Sequence, residues 1–194
     1  VAMRNDLSFD AISGVQAEWR DRKLNVPLRY FEARSLTVSF RAPIDAIEQL
    51  LPANVHPLRW GRHEAVTAII FNDFPMSDIG SYREILVGFP VSIGEKTWPY
   101  AGLRSFSRKG GAVFAYDMVL DDQVAIDLGV DIAGYPKHLG EVELDLESPT
   151  MRGVWREDGE DVLTVCAPRR TPLPIEKRDR LDLITTKDGY LLRS

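Results

Sequence analysis

Val142, Leu144 and Leu146 alternate with Glu143, Asp145 and Glu147. That period of two fits a half-exposed strand, because successive side chains of a strand point to opposite faces whereas apolar positions of a helix recur every three or four residues. The same rhythm runs through Leu36, Val38 and Phe40, with Thr37 and Ser39 between them. Runs rich in Val, Ile, Leu and Phe over 65–71, 84–91 and 112–120 predict three further strands, the last entered through a turn at Gly110-Gly111. Asp158-Gly159 has the composition of a tight hairpin turn between strands at 151–155 and 162–166, and Asp188-Gly189 repeats it near the end. Two helices interrupt this pattern. One opens on Pro43, carries Ile44, Ile47, Leu50 and Leu51 at helical spacing and stops at Pro52. The other is capped by Asp121 or Asp122 and carries Val124, Ala125, Leu128 and Ile132. Strands and helices do not alternate in a βαβ rhythm, so a mainly β, α+β fold follows, an antiparallel barrel or sandwich with helical insertions.

The 194 residues fall within the size range of a single domain, 1–194, able to bury a core without a staple. Residues 1–30 are polar and mixed and read as an N-terminal arm with one short helix. Hydrophobic residues make up 44% and charged residues 27%, without an apolar run long enough to span a bilayer, so no membrane partner is expected. The N-terminus has no signal-peptide succession and the lone Cys166 has no partner, which predicts a cytoplasmic location. Apolar neighbours predict that Cys166 is a buried, inert thiol. With a net charge of −5 and basic residues scattered among acids, nucleic acid is not an expected partner. The densest basic cluster, Arg169-Arg170 and Lys177-Arg178-Asp179-Arg180, reads as a solvated loop. The chain stops at Leu191-Leu192-Arg193-Ser194, where a returning strand has just begun, which predicts a short final strand or a truncated chain.

Several chemistries lack their motif. There is no Gly-rich phosphate loop and no Gly-x-Ser-x-Gly elbow, and His56, His63 and His138 lack metal-binding spacings, so neither metal nor cofactor is expected. A different signal lies in residues 124–140, where the second helix runs into Gly134-Tyr135-Pro136-Lys137-His138-Leu139-Gly140. That stretch resembles the active-site segment of the acetoacetate decarboxylase family, in which a short helix leads through Gly and Tyr-Pro to a Schiff-base lysine. Upstream, Gly80-Ser81-Tyr82-Arg83-Glu84 is similar to the Gly-x-Tyr-x-Glu that supplies the family's active-site glutamate. The resemblance spans roughly residues 30 to 190. It implies a closed antiparallel β-barrel or cone with flanking strands and two or three short helices, a homo-oligomer, and a small keto acid as substrate.

On this resemblance Lys137 is the imine-forming residue, with Glu84 and His138 as its catalytic companions. The sequence departs from the decarboxylases proper in two places: His138 stands where they carry a second lysine, and Thr67 where a strand carries another glutamate. Arg34 is the nearest match to the family's arginine, and Arg34 and Arg83 are candidate clamps for a substrate carboxylate. Tyr82 joins them as a substrate-binding candidate, although Tyr82 and Tyr135 both have the character of packing residues.

The chemistry explains the residue types. Loss of CO2 from a β-keto acid leaves electrons that a protonated imine accepts better than a ketone does, and a lysine supplies the imine. A free lysine of pKa about 10.4 is neutral in only roughly one molecule in 2,500 at pH 7. Burial or a neighbouring cation removes that obstacle, and acetoacetate decarboxylase is itself a standard instance of such activation. A neutral His138 exerts no Coulombic push, so desolvation is expected to dominate. The same imine also supports aldol addition, retro-aldol cleavage or dehydration, and a non-catalytic ligand-binding homologue is the third possibility.

Overall fold

The computed structural model describes residues 15–99, 111–171 and 181–194. Thirteen strands and two helices follow one another in the described residues: β1 Val15–Trp19, β2 Arg22–Val26, β3 Tyr30–Pro43, α1 Ile44–Glu48, β4 Val55–Pro57, β5 Glu64–Ser77, β6 Tyr82–Ile93, β7 Gly111–Leu120, α2 Gln123–Ala133, β8 Lys137–Leu139, β9 Glu141–Asp145, β10 Thr150–Glu157, β11 Glu160–Pro168, β12 Leu181–Lys187 and β13 Tyr190–Arg193. The expected mainly β composition is therefore present. Gly110 and the basic run 177–180 lie outside the described residues.

Eight strands form one sheet in the order β13-β12-β7-β6-β5-β3, with β4 added on β6 and β8 on β7. The closed barrel is not found: among the described residues β3 and β13 are the two ends of the sheet and do not pair with each other. Nor is the sheet wholly antiparallel, since β7 runs parallel to both β8 and β12. Strand β8 is the physical reason that sequence periodicity misled here. The chain leaves β7 through α2 and returns beside it, a crossover that only a helix-length connection permits. Yet β8 has three residues, too few to register as a period of two.

Strands β5, β6 and β7 carry two sets of apolar side chains on opposite faces. On one face Leu86, Met118 and Leu120 pack against Ala125 and Ile126 of α2. On the other, Phe71, Ile85 and Val119, each 0% exposed, pack against Val142 of β9 and Val165 of β11. Gly153 of β10 lies flat on Phe71, whose ring carbons would stand 2.8 Å from any Cβ there. Removing a ring from such a site costs about 3–5 kcal/mol.

The alternation of β9 holds as expected, with Val142 buried and Glu143 exposed. Its neighbours show how one residue of register decides exposure. On β11 Val165 turns inward, so Cys166 is exposed rather than buried, and its period-two setting overrides its apolar company. Phe40 shares the parity of Leu36 on the edge strand β3 yet is 44% exposed while Leu36 is buried, so parity by itself does not bury a residue. Both Asp-Gly hairpins form, with Asp158, Gly159, Asp188 and Gly189 all at positive φ, and the second closes a short final strand.

The N-terminal arm is not helical among the described residues. Strands β1 and β2 make a hairpin whose Trp19 indole donates to Asp131 of α2 at 3.0 Å, while Arg20 donates to Asp127 and Asp131. Helix α1 is shorter than expected, with Pro43 at its N-cap and Ile44 and Ile47 buried. No helix among the described residues is long and apolar enough to cross a membrane.

Candidate active site

Asp122 caps α2 by accepting from the Ala125 N–H at 2.8 Å, and Gly134 ends it in the left-handed conformation at φ 64°, where glycine pays no steric cost. Tyr135 and Pro136 then turn the chain onto β7, the Met118 N–H donating to the Pro136 carbonyl at 3.1 Å. Lys137 is the first residue of β8, paired with Met118, and its side chain folds back under the helix it has just left. Its Nζ donates to the Ala125 carbonyl at 3.4 Å, and its stem lies against Gly129.

Glu84 reaches the same place from β6. Its Oε2 stands 3.1 Å from Lys137 Nζ, and the two side chains are only 9% and 6% exposed. A buried carboxylate and a buried ammonium are each costly alone and are tolerated as a pair. Glu84 Oε1 accepts from Asn72 Nδ2 on β5 at 3.5 Å, and Asn72 Oδ1 accepts from the Ser35 hydroxyl on β3 at 2.6 Å. Among the described residues no group of three or more His, Cys, Asp or Glu side chains is placed to hold a metal ion.

Aromatic rings enclose the pair. Lys137 Nζ lies 5.4 Å from the ring centroid of Tyr135 and 5.9 Å from that of Tyr82, within cation–π range. Tyr82 packs on Phe74 at 5.0 Å between ring centroids, and its hydroxyl lies 3.0 Å from that of Tyr30. Burial pushes the Tyr82 phenol well above the ordinary tyrosine range, and the Glu84 charge adds to the effect. Burial raises Tyr30 and Tyr135 as well. All three therefore stay neutral at physiological pH and offer hydroxyls, not phenolates.

The structure brings together Lys137, Glu84 and Tyr82 and leaves the other three expected residues elsewhere. His138 follows Lys137 on a strand and so points to the opposite face, with Nε2 2.9 Å from Asp117 and Nδ1 3.5 Å from Glu157. There it borders an open cleft of about 680 Å3 with Arg156 and Glu141. Arg83 lies between Tyr82 and Glu84 in sequence and is likewise turned away, 3.6 Å from Asp73. Arg34 is exposed on β3 and bound to Glu32 at 2.6 Å. Thr67, at the departure on β5, has a buried hydroxyl without a hydrogen-bond partner. Sequence reading missed Asn72, because the apolar run ends at Phe71 whereas the strand continues through Asn72 to Ser77.

The model of the acetoacetate decarboxylase family matches residues 16–182, most of the chain. The chain belongs to that family. It is 28% identical over 127 residues to an acetoacetate decarboxylase of Clostridium botulinum, covering 66% of this chain and 45% of the relative. Against an acetoacetate decarboxylase of Clostridium beijerinckii the figures are 29% over 130 residues, 66% and 44%, so this family member spans less than half the length of either. Several solved structures share its fold. The acetoacetate decarboxylase of Legionella pneumophila superposes with a TM-score of 0.64 at 23% identity, over 84% of this chain and 62% of that one. The enduracididine biosynthesis enzyme MppR, complexed with the condensation product of pyruvate and imidazole 4-carboxaldehyde, gives 0.57 at 15%, over 79% and 60%.

Proposed function

We propose that Lys137 forms an imine with a small keto acid, and that the protein is a Schiff-base lyase whose first candidate reaction is decarboxylation of a β-keto acid of the acetoacetate type. The observation that carries this reading is the buried Lys137–Glu84 pair, 3.1 Å apart under a wall of tyrosines. Glu84 takes a proton from the ammonium, and the neutral Nζ attacks the ketone carbon. The carbinolamine oxygen leaves as water after proton transfer, giving the protonated imine. Scission of the bond to the carboxylate then passes its electron pair to the iminium, releasing CO2 and an enamine. Protonation of the enamine carbon and hydrolysis return Lys137. The rings of Tyr82 and Tyr135, with centroids 5.9 and 5.4 Å from Nζ, shield the amine from water.

One observation favours a second reading, aldol or dehydratase chemistry on a pyruvate-like acid. Neither Arg34 nor Arg83, the candidate clamps for a substrate carboxylate, stands at the lysine, so neither commits the site to a β-keto acid. An enamine that has no CO2 to lose is free to attack an aldehyde instead, and the pyruvate condensation product bound to MppR, a protein of the same fold, is of that kind. The family resemblance also implies a homo-oligomer, which light scattering on the purified chain tests.

The deciding experiment is incubation with pyruvate or acetoacetate, borohydride reduction, and peptide mass analysis. An adduct on Lys137 is expected. A folded protein left unlabelled would sink both enzymatic readings and leave a ligand-binding homologue. Release of CO2 against formation of aldol product then separates the first two.

A further inference from the structure

Ser35, Asn72 and Glu84 occupy one cross-strand row, Ser35 paired with Asn72 between β3 and β5, and Asn72 with Glu84 between β5 and β6. Residues in register across adjacent strands share a face, so the three side chains follow one another from the exposed edge strand to the buried carboxylate. Ser35 is exposed, Asn72 half-buried and Glu84 buried. Each link has a defined polarity. The Ser35 hydroxyl donates to Asn72 Oδ1 at 2.6 Å, and Asn72 Nδ2 donates to Glu84 Oε1 at 3.5 Å. The reverse orientation of the amide would set its oxygen against the carboxylate, lone pair against lone pair. Glu84 therefore selects the amide orientation, and Ser35 secures it from the far side.

We propose that Asn72 is a positioning residue for Glu84: it holds Oε1 so that Oε2 is presented to Lys137, and Ser35 locks Asn72 in the donating orientation. This rests on the imine chemistry proposed above. A carboxylate with both oxygens free to rotate serves as counter-ion from many poses, but it takes a proton from one nitrogen efficiently only when one oxygen is fixed toward it. At 3.5 Å the link is long for a hydrogen bond, so it biases the orientation of the carboxylate and leaves Oε2 to Lys137.

The test is the rate of Lys137 adduct accumulation under borohydride against pyruvate and acetoacetate concentration, in wild type, Asn72→Leu, Ser35→Ala and Ser35→Thr. Loss of so long a hydrogen bond is expected to lower the limiting rate about threefold in Asn72→Leu and about twofold in Ser35→Ala, with half-saturation unchanged. Ser35→Thr, which keeps the hydroxyl on an exposed strand position, is expected to restore the wild-type rate. A purely structural role would not give this separation of rate from saturation, nor the rescue. Equal limiting rates in wild type and in folded Asn72→Leu would overturn the proposal, and so would equal rates in the two Ser35 variants. Should Asn72→Leu fail to fold, the Ser35 pair decides. Should wild type give no adduct, the chemistry is lost, and the carboxyl 13C shift of Glu84, assigned through Glu84→Gln, decides the positioning claim. It is expected to move in Ser35→Ala and to stay in Ser35→Thr; no movement in either would refute it.

Discussion

Gly129 and Lys137 fit together because one of them has no side chain: a Cβ on Gly129 would stand 2.6 Å from Cδ and 2.7 Å from Cε of the lysine. The glycine sits inside helix α2, where alanine would be better by about 0.5–1 kcal/mol of helix propensity. The end of the lysine side chain, buried beside Glu84, must shift to admit a methyl group there. Gly129→Ala is therefore expected to reduce Lys137 adduct formation by more than about tenfold and to lower the thermal midpoint, because disturbing the buried ion pair outweighs the gain in helix propensity. Wild-type adduct formation in the folded variant would show that the lysine accommodates the methyl group without losing its place.

The Lys137–Glu84 pair should be visible in stability. Lys137→Met strands a buried carboxylate, and Glu84→Gln strands a buried ammonium, each costing about 3–5 kcal/mol by the usual behaviour of broken buried pairs. The double variant is expected to be more stable than either single one, because no unpaired charge remains. Urea denaturation of the four proteins measures this coupling; additive losses would mean that the two groups do not share a charge interaction.

Alkaline pH should unfold the protein through its buried tyrosines. Burial raises the Tyr82 phenol in the folded state, whereas an unfolded tyrosine ionises near about pH 10. Between those two values the unfolded chain has lost a proton that the native chain keeps, so stability falls as pH rises through that window. Denaturation midpoints measured from pH 8 to 11 are expected to decline, and less steeply in Tyr82→Phe. Identical slopes would place Tyr82 in contact with solvent.

His138 provides the contrast. It faces Asp117 and Glu157, is 42% exposed, and lies across the strand from the lysine that precedes it. A pair so exposed contributes about 0–1 kcal/mol. His138→Ala and His138→Lys are both expected to leave the rate of Lys137 adduct formation within about twofold of wild type at every pH where the protein is folded. A shifted pH profile in His138→Lys would show that charge on the far face still reaches the lysine.

Much of this protein is written in short stretches of its sequence. The alternation of Val142, Leu144 and Leu146, the two Asp-Gly turns and the Asp122 cap each depend on neighbours a few residues apart, and each forms as those neighbours dictate. The segment leading to Lys137 is equally local: a capped helix, a glycine stop, and Tyr-Pro directing the chain onto β7. Tertiary structure decided everything that depends on which distant strand lies alongside. A one-residue choice of face put Val165 inside and Cys166 outside, and sent Lys137 toward Glu84 and His138 away from it. The pairing of β5 with β6 brought Asn72 to Glu84, and the parallel docking of β8 on β7 carried the lysine under its own helix. Periodicity tells a residue which neighbours share its side of a strand. Which side faces a site is settled only when sheets and helix pack, because burial of the whole apolar face, and not any local preference, selects the register.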